Sequence, residues 1–144
     1  MAARPVPEGY HSVTPYLIVD GAARFIEFVK EAFGAEEVLR MPGPQDRVMH
    51  AEVRVGDSIL MLSDASERYP PTPVMLYLYV EDADAVYRQA LQAGASSLAE
   101  PQDQLYGDRA GAVEDPVGNR WWIATHIEDV SPEELARRMS AAQQ

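Results

Sequence analysis

Residues 13–34, VTPYLIVDGAARFIEFVKEAFG, and residues 74–94, VMLYLYVEDADAVYRQALQAG, follow the same pattern. Each opens with a run rich in β-branched and aromatic residues, passes an aspartate, continues with apolar residues at helical spacing, and stops at glycine followed by alanine. In the first stretch Val13 to Val19 reads as a strand, Asp20 as a candidate N-cap, and Phe25, Phe28, Val29, Ala32 and Phe33 as one face of a helix ended by Gly34. In the second, Val74 to Val80 is the strand, the helix starts near Asp82, and Val86, Tyr87, Ala90 and Leu91 share its apolar face before Gly94.

The correspondence extends outward. Val19 and Val80 lie 61 residues apart, Gly34 and Gly94 60, and Gly56 and Gly118 62. A period near 61 residues is the mark of one supersecondary unit used twice. After Gly34 come a short strand at 37–41, a Pro/Gly loop at 42–44, and a hairpin of 48–55 and 58–62 turning through Gly56-Asp57. After Gly94 come another short strand and a hairpin of 110–114 and 120–125. The order in each copy is βαβββ. The expected fold class is α+β, a single domain of two tandem modules, about 13–65 and 74–127, joined by the proline-rich segment 66–73. Ser131-Pro132-Glu133-Glu134 is a capping box with proline at the first helical position, so a C-terminal helix is predicted over about 132–141.

Side chains alternate across a strand, which assigns faces. One face collects Val13, Leu17, Val19, Ala51, Val53, Val55, Leu76, Leu78, Val80, Trp121 and Ile123, and is the one the helices should cover. The other collects Thr14, Tyr16, His50, Glu52, Arg54, Met75, Tyr77, Tyr79, Trp122, Ala124 and His126. Aromatics mixed with a few hydrogen-bonding groups suit a ligand cleft, although a solvated sheet face or a dimer surface would have the same pattern.

Composition narrows the function classes. Twelve lysines and arginines against 23 aspartates and glutamates give a net charge of −11, so nucleic acid is not an expected partner. Residues 1–12 lack the apolar core of a secretory signal, no apolar run reaches membrane-helix length, and cysteine is absent, so a cytoplasmic protein without membrane association is expected. Glycine-rich phosphate loops, a GxSxG elbow and a Walker lysine are all missing, which leaves nucleotide hydrolysis and serine-esterase chemistry unsupported.

The βαβββ repeat, TPYLIVDGAARFIEFVKEAFGAEEV, the hairpin MHAEVRVGDSILMLSD, YLYVEDADAV, YGDRAG and EDPVGNRWWIATH together resemble the vicinal oxygen chelate superfamily over roughly residues 6–138. Within it the chain looks most similar to the PhnB-like branch of the glyoxalase/bleomycin resistance protein/dioxygenase group. The resemblance implies two modules forming an incompletely closed barrel, usually in a dimer, with the site on the concave side. It also implies four metal-ligand positions, which fall here on Thr14, His50, Met75 and Trp122. Of these only His50 is a good ligand, so no metal or other cofactor is expected.

Candidate ligand-binding residues are Thr14, Tyr16, His50, Met75, Tyr77, Tyr106, Arg109 and Trp122. His50 and Glu52 are the catalytic candidates, as a hydrogen-bonded acid/base pair, although such pairs are more often structural. Arg109, placed by the sequence in the loop entering the second hairpin, could clamp an anionic group or else pair with Asp108 or Asp115. His50, Tyr77, Arg109 and Trp122 are expected to converge on one pocket. The expected function is metal-independent binding or sequestration of a small amphipathic or aromatic ligand by a homodimer. The alternatives are a metal-dependent lyase, isomerase or dioxygenase of the same superfamily and a purely structural or partner-binding dimer.

Overall fold

The computed structural model describes residues 2–143. The first module comprises β1 (Tyr16–Val19), α1 (Ala22–Phe33), β2 (Glu36–Pro42), a 3-10 turn (Pro44–Asp46), β3 (Val48–Val55) and β4 (Ser58–Asp64). The second comprises β5 (Met75–Tyr79), α2 (Ala83–Gln92), β6 (Ser96–Asp103), β7 (Asp108–Glu114) and β8 (Arg120–His126), and α3 (Pro132–Ala142) follows. Each module is an open four-stranded mixed sheet, ordered β1-β4-β3-β2 and β5-β8-β7-β6. In both, the first strand runs parallel to the last, and the remaining pairs are antiparallel. The expected α+β fold of two tandem βαβββ modules is therefore present.

One core serves both modules. Phe25, Ile26, Phe28 and Val29 of α1 pack with Leu17, Val53 and Leu62 of the first sheet and with Val113, Trp121 and Ile123 of the second. Trp121 bridges the two units: its ring lies 4.7 Å from that of Phe33 and 6.4 Å from that of Phe25. Its indole N–H donates to the buried Asp115 carboxylate at 2.9 Å. An aromatic buried this way contributes roughly 1.5–3 kcal/mol through area alone.

Several local expectations change. Asp20 does not cap α1; Gly21 takes that position with φ 113°, a left-handed conformation that favours glycine. The capping carboxylate comes instead from Asp64 at the end of β4, which accepts from the amides of Gly21 at 3.2 Å, Ala22 at 2.8 Å and Val48 at 2.7 Å. Asp82, by contrast, caps α2 as its sequence implies, accepting from the Ala85 amide at 3.1 Å. Val13 is 84% exposed and β1 starts only at Tyr16, so neither Val13 nor Thr14 belongs to the strand. Pro15 explains the late start, because it disfavours a ladder donor there. β7 begins at Asp108, two residues before the expected strand, which moves Arg109 from a loop into the sheet. β6 carries Pro101, tolerated because this is an edge strand with a register shift between Ala99 and Gln102.

Candidate functional site

The sheet faces turned away from the helices hold two separate polar chains. In the first module, Glu52 is 6% exposed and accepts from the phenol of Tyr10, whose segment lies across β3. Its other oxygen meets His50 Nε2 at 2.8 Å, and His50 Nδ1 meets the Tyr16 hydroxyl at 3.0 Å. Burial alone would raise the pKa of Glu52, but the bonds from Tyr10 and His50 outweigh it and hold the carboxyl below its ordinary range. An ionised Glu52 only accepts, so Nε2 carries a proton. Nδ1 shares a hydrogen bond with the Tyr16 hydroxyl, which ties that phenol to the His50–Glu52 pair.

In the second module the centre is Asp108, 2% exposed. It accepts from Tyr77 at 2.7 Å, from Tyr79 at 2.9 Å and from His126 Nδ1 at 2.8 Å. Burial opposes its ionisation, and these three bonds more than reverse that, lowering its pKa. The Tyr106 hydroxyl lies 3.0 Å from that of Tyr77, whose bond to Asp108 makes Tyr106 the donor between them. Burial and these neighbours raise the pKa of Tyr77 and keep it protonated. His126 Nε2 also meets Asp129 at 2.7 Å, so the ring sits between two carboxylates that raise its pKa, Asp129 more than Asp108.

A cavity of about 590 Å³ opens at one end of the first sheet's open face. Ile18, Val48, Met49 and Pro44 give it apolar walls, Tyr16, Ser63, Ser66 and Tyr69 contribute hydroxyls, and Arg47 and Asp64 complete the lining. Tyr69 reaches it because the linker folds back along the edge of β1, with the Thr72 amide donating to the Ile18 carbonyl at 3.1 Å. The other rim is the turn at Pro44–Asp46, where Gln45 and Asp46 both have φ 60°. Two consecutive non-glycine residues in that region cost roughly 1–3 kcal/mol each, so surrounding contacts must hold the turn in place.

Among the expected site residues, Tyr16, His50 and Glu52 come together in the first module, and Tyr77 and Tyr106 in the second. Of the eight ligand-binding candidates only Tyr16 lines the 590 Å³ cavity. Thr14 lies outside the sheet and donates to the His11 carbonyl at 3.1 Å. Met75 is 61% exposed at the start of β5, and Trp122 is half-buried on β8 opposite Tyr77.

Arg109 is a correction. Its guanidinium holds Asp84 on α2 at 2.8 and 3.0 Å and Asp103 at 3.1 Å, so it points to the helix side of the sheet. The alternation that places Asp108 beneath the tyrosines places Arg109 opposite them. The four-residue convergence therefore does not occur around Arg109, and its partners are neither Asp108 nor Asp115. Sequence reasoning missed Arg47, Ser63, Ser66 and Tyr69; Ser63 is placed at the cavity by its register with Ile18 across the parallel pair β1–β4, which local sequence does not reveal.

The four positions that the resemblance implies for metal ligation are Thr14, His50, Met75 and Trp122. Both nitrogens of His50 are engaged by Glu52 and Tyr16, the Thr14 hydroxyl is turned to a backbone carbonyl, and methionine and tryptophan are not hard-metal donors. Among the described residues, no three His, Cys, Asp or Glu side chains are grouped to hold an ion.

Solved structures share the architecture. TioX from Micromonospora sp. ML1 superposes with a TM-score of 0.67 at 23% identity, covering 84% of this chain and all (100%) of its own. TnmS3, an antibiotic binding protein from Streptomyces sp. CB03234, gives 0.63 at 23% identity, with 88% and 98% covered. A glyoxalase-related enzyme from Fulvimarina pelagi gives 0.65 at 18%, with 80% and 87% covered. In sequence, uncharacterized protein Mb0911c of Mycobacterium bovis is 37% identical over 141 residues, covering 90% of this chain and 93% of its own length. The family model for the Glyoxalase/Bleomycin resistance protein/Dioxygenase superfamily matches residues 9–123, and with the paired βαβββ modules already described, the chain belongs to that superfamily.

Proposed function

We propose that this protein binds a small amphipathic or aromatic molecule without using a metal, within the PhnB-like branch suggested by its motif order. The observation that carries the proposal is the 590 Å³ cavity, of a volume suited to a drug-sized ligand, with apolar walls and a few hydroxyls at its rim. Tyr16 joins the cavity to the His50–Glu52 pair, so the polar chain positions a hydrogen-bonding group at the wall. A structural neighbour described as an antibiotic binding protein fits the same activity class.

The working unit in this proposal is a homodimer. Tyr16, Met75, Tyr77 and Tyr79 are large and exposed on open sheet faces, and apolar surface of that kind favours burial against a second copy. A partner's second module laid over the first module's face would supply Tyr77 and Trp122 to a shared cleft. Metal-dependent lyase, isomerase or dioxygenase chemistry is the alternative, and the donor set argues against it.

Two measurements test the proposal. Metal analysis of purified, tag-free protein should find no stoichiometric divalent metal; one tight ion per chain with His50 in its ligand set would overturn metal independence. A panel of aromatic and amphipathic compounds should raise the melting temperature of the native protein by several degrees at saturating ligand, as mass action requires. Ser63→Trp, which fills the cavity from β4, should abolish that shift. A shift that survives in a folded Ser63→Trp variant would place binding elsewhere.

A further inference from the structure

We infer that the cavity selects ligands carrying an anionic group, such as a carboxylate or sulfonate, and that Arg47 is the residue that reads it. The inference rests on the cavity being a binding site and adds the chemical class of its occupant.

Arg109 holds Asp84 and Asp103, Arg138 holds Glu128 and Glu134, Arg40 holds Glu37, and Arg54 holds Glu36. Arg47 stands at the cavity wall and, among the described residues, makes no side-chain hydrogen bond or ion pair. A guanidinium presents five donors in a planar fork that matches the two oxygens of a carboxylate or sulfonate.

The groups beside it are also donors without fixed acceptors. The Ser63 and Tyr69 hydroxyls have no hydrogen-bond partner among the described residues. Ser66 accepts from the Tyr69 amide at 3.1 Å, which leaves its own O–H to donate. The one carboxylate in the lining, Asp64, accepts from three backbone amides and feels the Arg47 charge, but makes no hydrogen bond or ion pair with the guanidinium, whose donors stay open. Asp20 and Glu67 line a second depression that Arg47 also borders, and neither makes a hydrogen bond or ion pair with it.

The turn that carries Arg47 supports the assignment. Gly43 N–H donates to the Arg47 carbonyl at 2.7 Å, and Arg47 N–H to the Pro44 carbonyl at 3.2 Å, closing a tight loop around two left-handed residues. That closure fixes where the arginine leaves the backbone. In a molecule of net charge −11 the long-range field repels anions, so selection of one requires a local cation of this kind.

The test uses two probes that share an aromatic body: 8-anilinonaphthalene-1-sulfonate, which is anionic, and N-phenyl-1-naphthylamine, which is neutral. Fluorescence titration of the intact protein should show tighter binding of the sulfonate. Arg47→Met keeps the aliphatic stem and should weaken the sulfonate by about tenfold or more, while changing the neutral probe less than about twofold. Ser63→Trp, or Ile18→Trp if the first does not fold, should remove both. Equal binding of the two probes to wild type, or an Arg47→Met variant that binds the sulfonate normally, overturns the anion inference and leaves the cavity reading standing. Neither probe binding, or both surviving the filled cavity, overturns the cavity reading together with this inference.

Discussion

The Asp64 carboxylate accepts from the amides of Gly21, Ala22 and Val48, so one side chain fastens the start of α1, the end of β4 and the start of β3. Burial alone would raise its pKa, but those amides, helped by the Arg47 charge, hold it below its ordinary range. A lowered folded-state pKa contributes stability that is present above the unfolded value of about 3.9 and is lost as pH falls through the folded value. Asp64→Ala should therefore cost about 2–4 kcal/mol at neutral pH in urea unfolding, and its stability should fall less steeply than wild type below about pH 4. An unchanged acid slope would show that the three amide bonds contribute little. None of this was legible in sequence, where Asp20 stands closer to the helix and competes for the capping role. Local spacing cannot reveal that the chain returns 43 residues later with a better-placed carboxylate. Arg109 failed for a different reason. The apolar run that marks the strand in sequence opens at Ala110, whereas β7 opens at Asp108, so alternation counted from Ala110 leaves Asp108 and Arg109 looking like loop.

The long elements with strong periodicity were legible, because α1, α2 and the hairpin strands each carry a full apolar stripe and a glycine or aspartate at the boundary. The cavity rim was not. It is built from the turn Pro44–Asp46 and the linker, short segments whose course depends on contacts far away in sequence, such as Thr72 on Ile18. α3 was predicted from its capping box, and the Ser131 hydroxyl does accept from the Glu134 amide at 3.1 Å. Yet α3 buries no residue fully and is tied to the body chiefly by Arg138, which reaches Glu128 and the Leu105 carbonyl. An exposed helix of 11 residues is marginal on its own. Native-state hydrogen exchange should show α3 opening at a free energy well below that of α1, and Arg138→Ala should lower the α3 value further without moving α1. Equal protection of the two helices would contradict this account.

At the scale of the whole molecule, two facts oppose each other in the proposed dimer. Tyr79 is 60% exposed and shares an open sheet face with Met75 and Tyr77, a surface whose burial favours association. Each copy also carries a net charge of −11, so bringing two together concentrates like charge. Salt acts on only one of the two terms. It screens the repulsion, with a Debye length of about 10 Å at 0.1 M falling toward 3 Å at 1 M, and it leaves burial of apolar faces intact. Light scattering at micromolar protein should therefore find a dimer at about 0.15 M salt, with a dissociation constant that falls as salt rises to about 0.5 M. An interface held by ion pairs would weaken over the same range, the opposite sign. Tyr79→Glu would place charge on that face; it should raise the dissociation constant at both salt concentrations, though its own bond to Asp108 means folding must be checked by melting. A monomer under all conditions would remove the shared cleft from the functional proposal, and would leave the cavity beside Arg47, whose lining comes entirely from residues 16–69 and their own strands, turn and linker, to bind ligand alone.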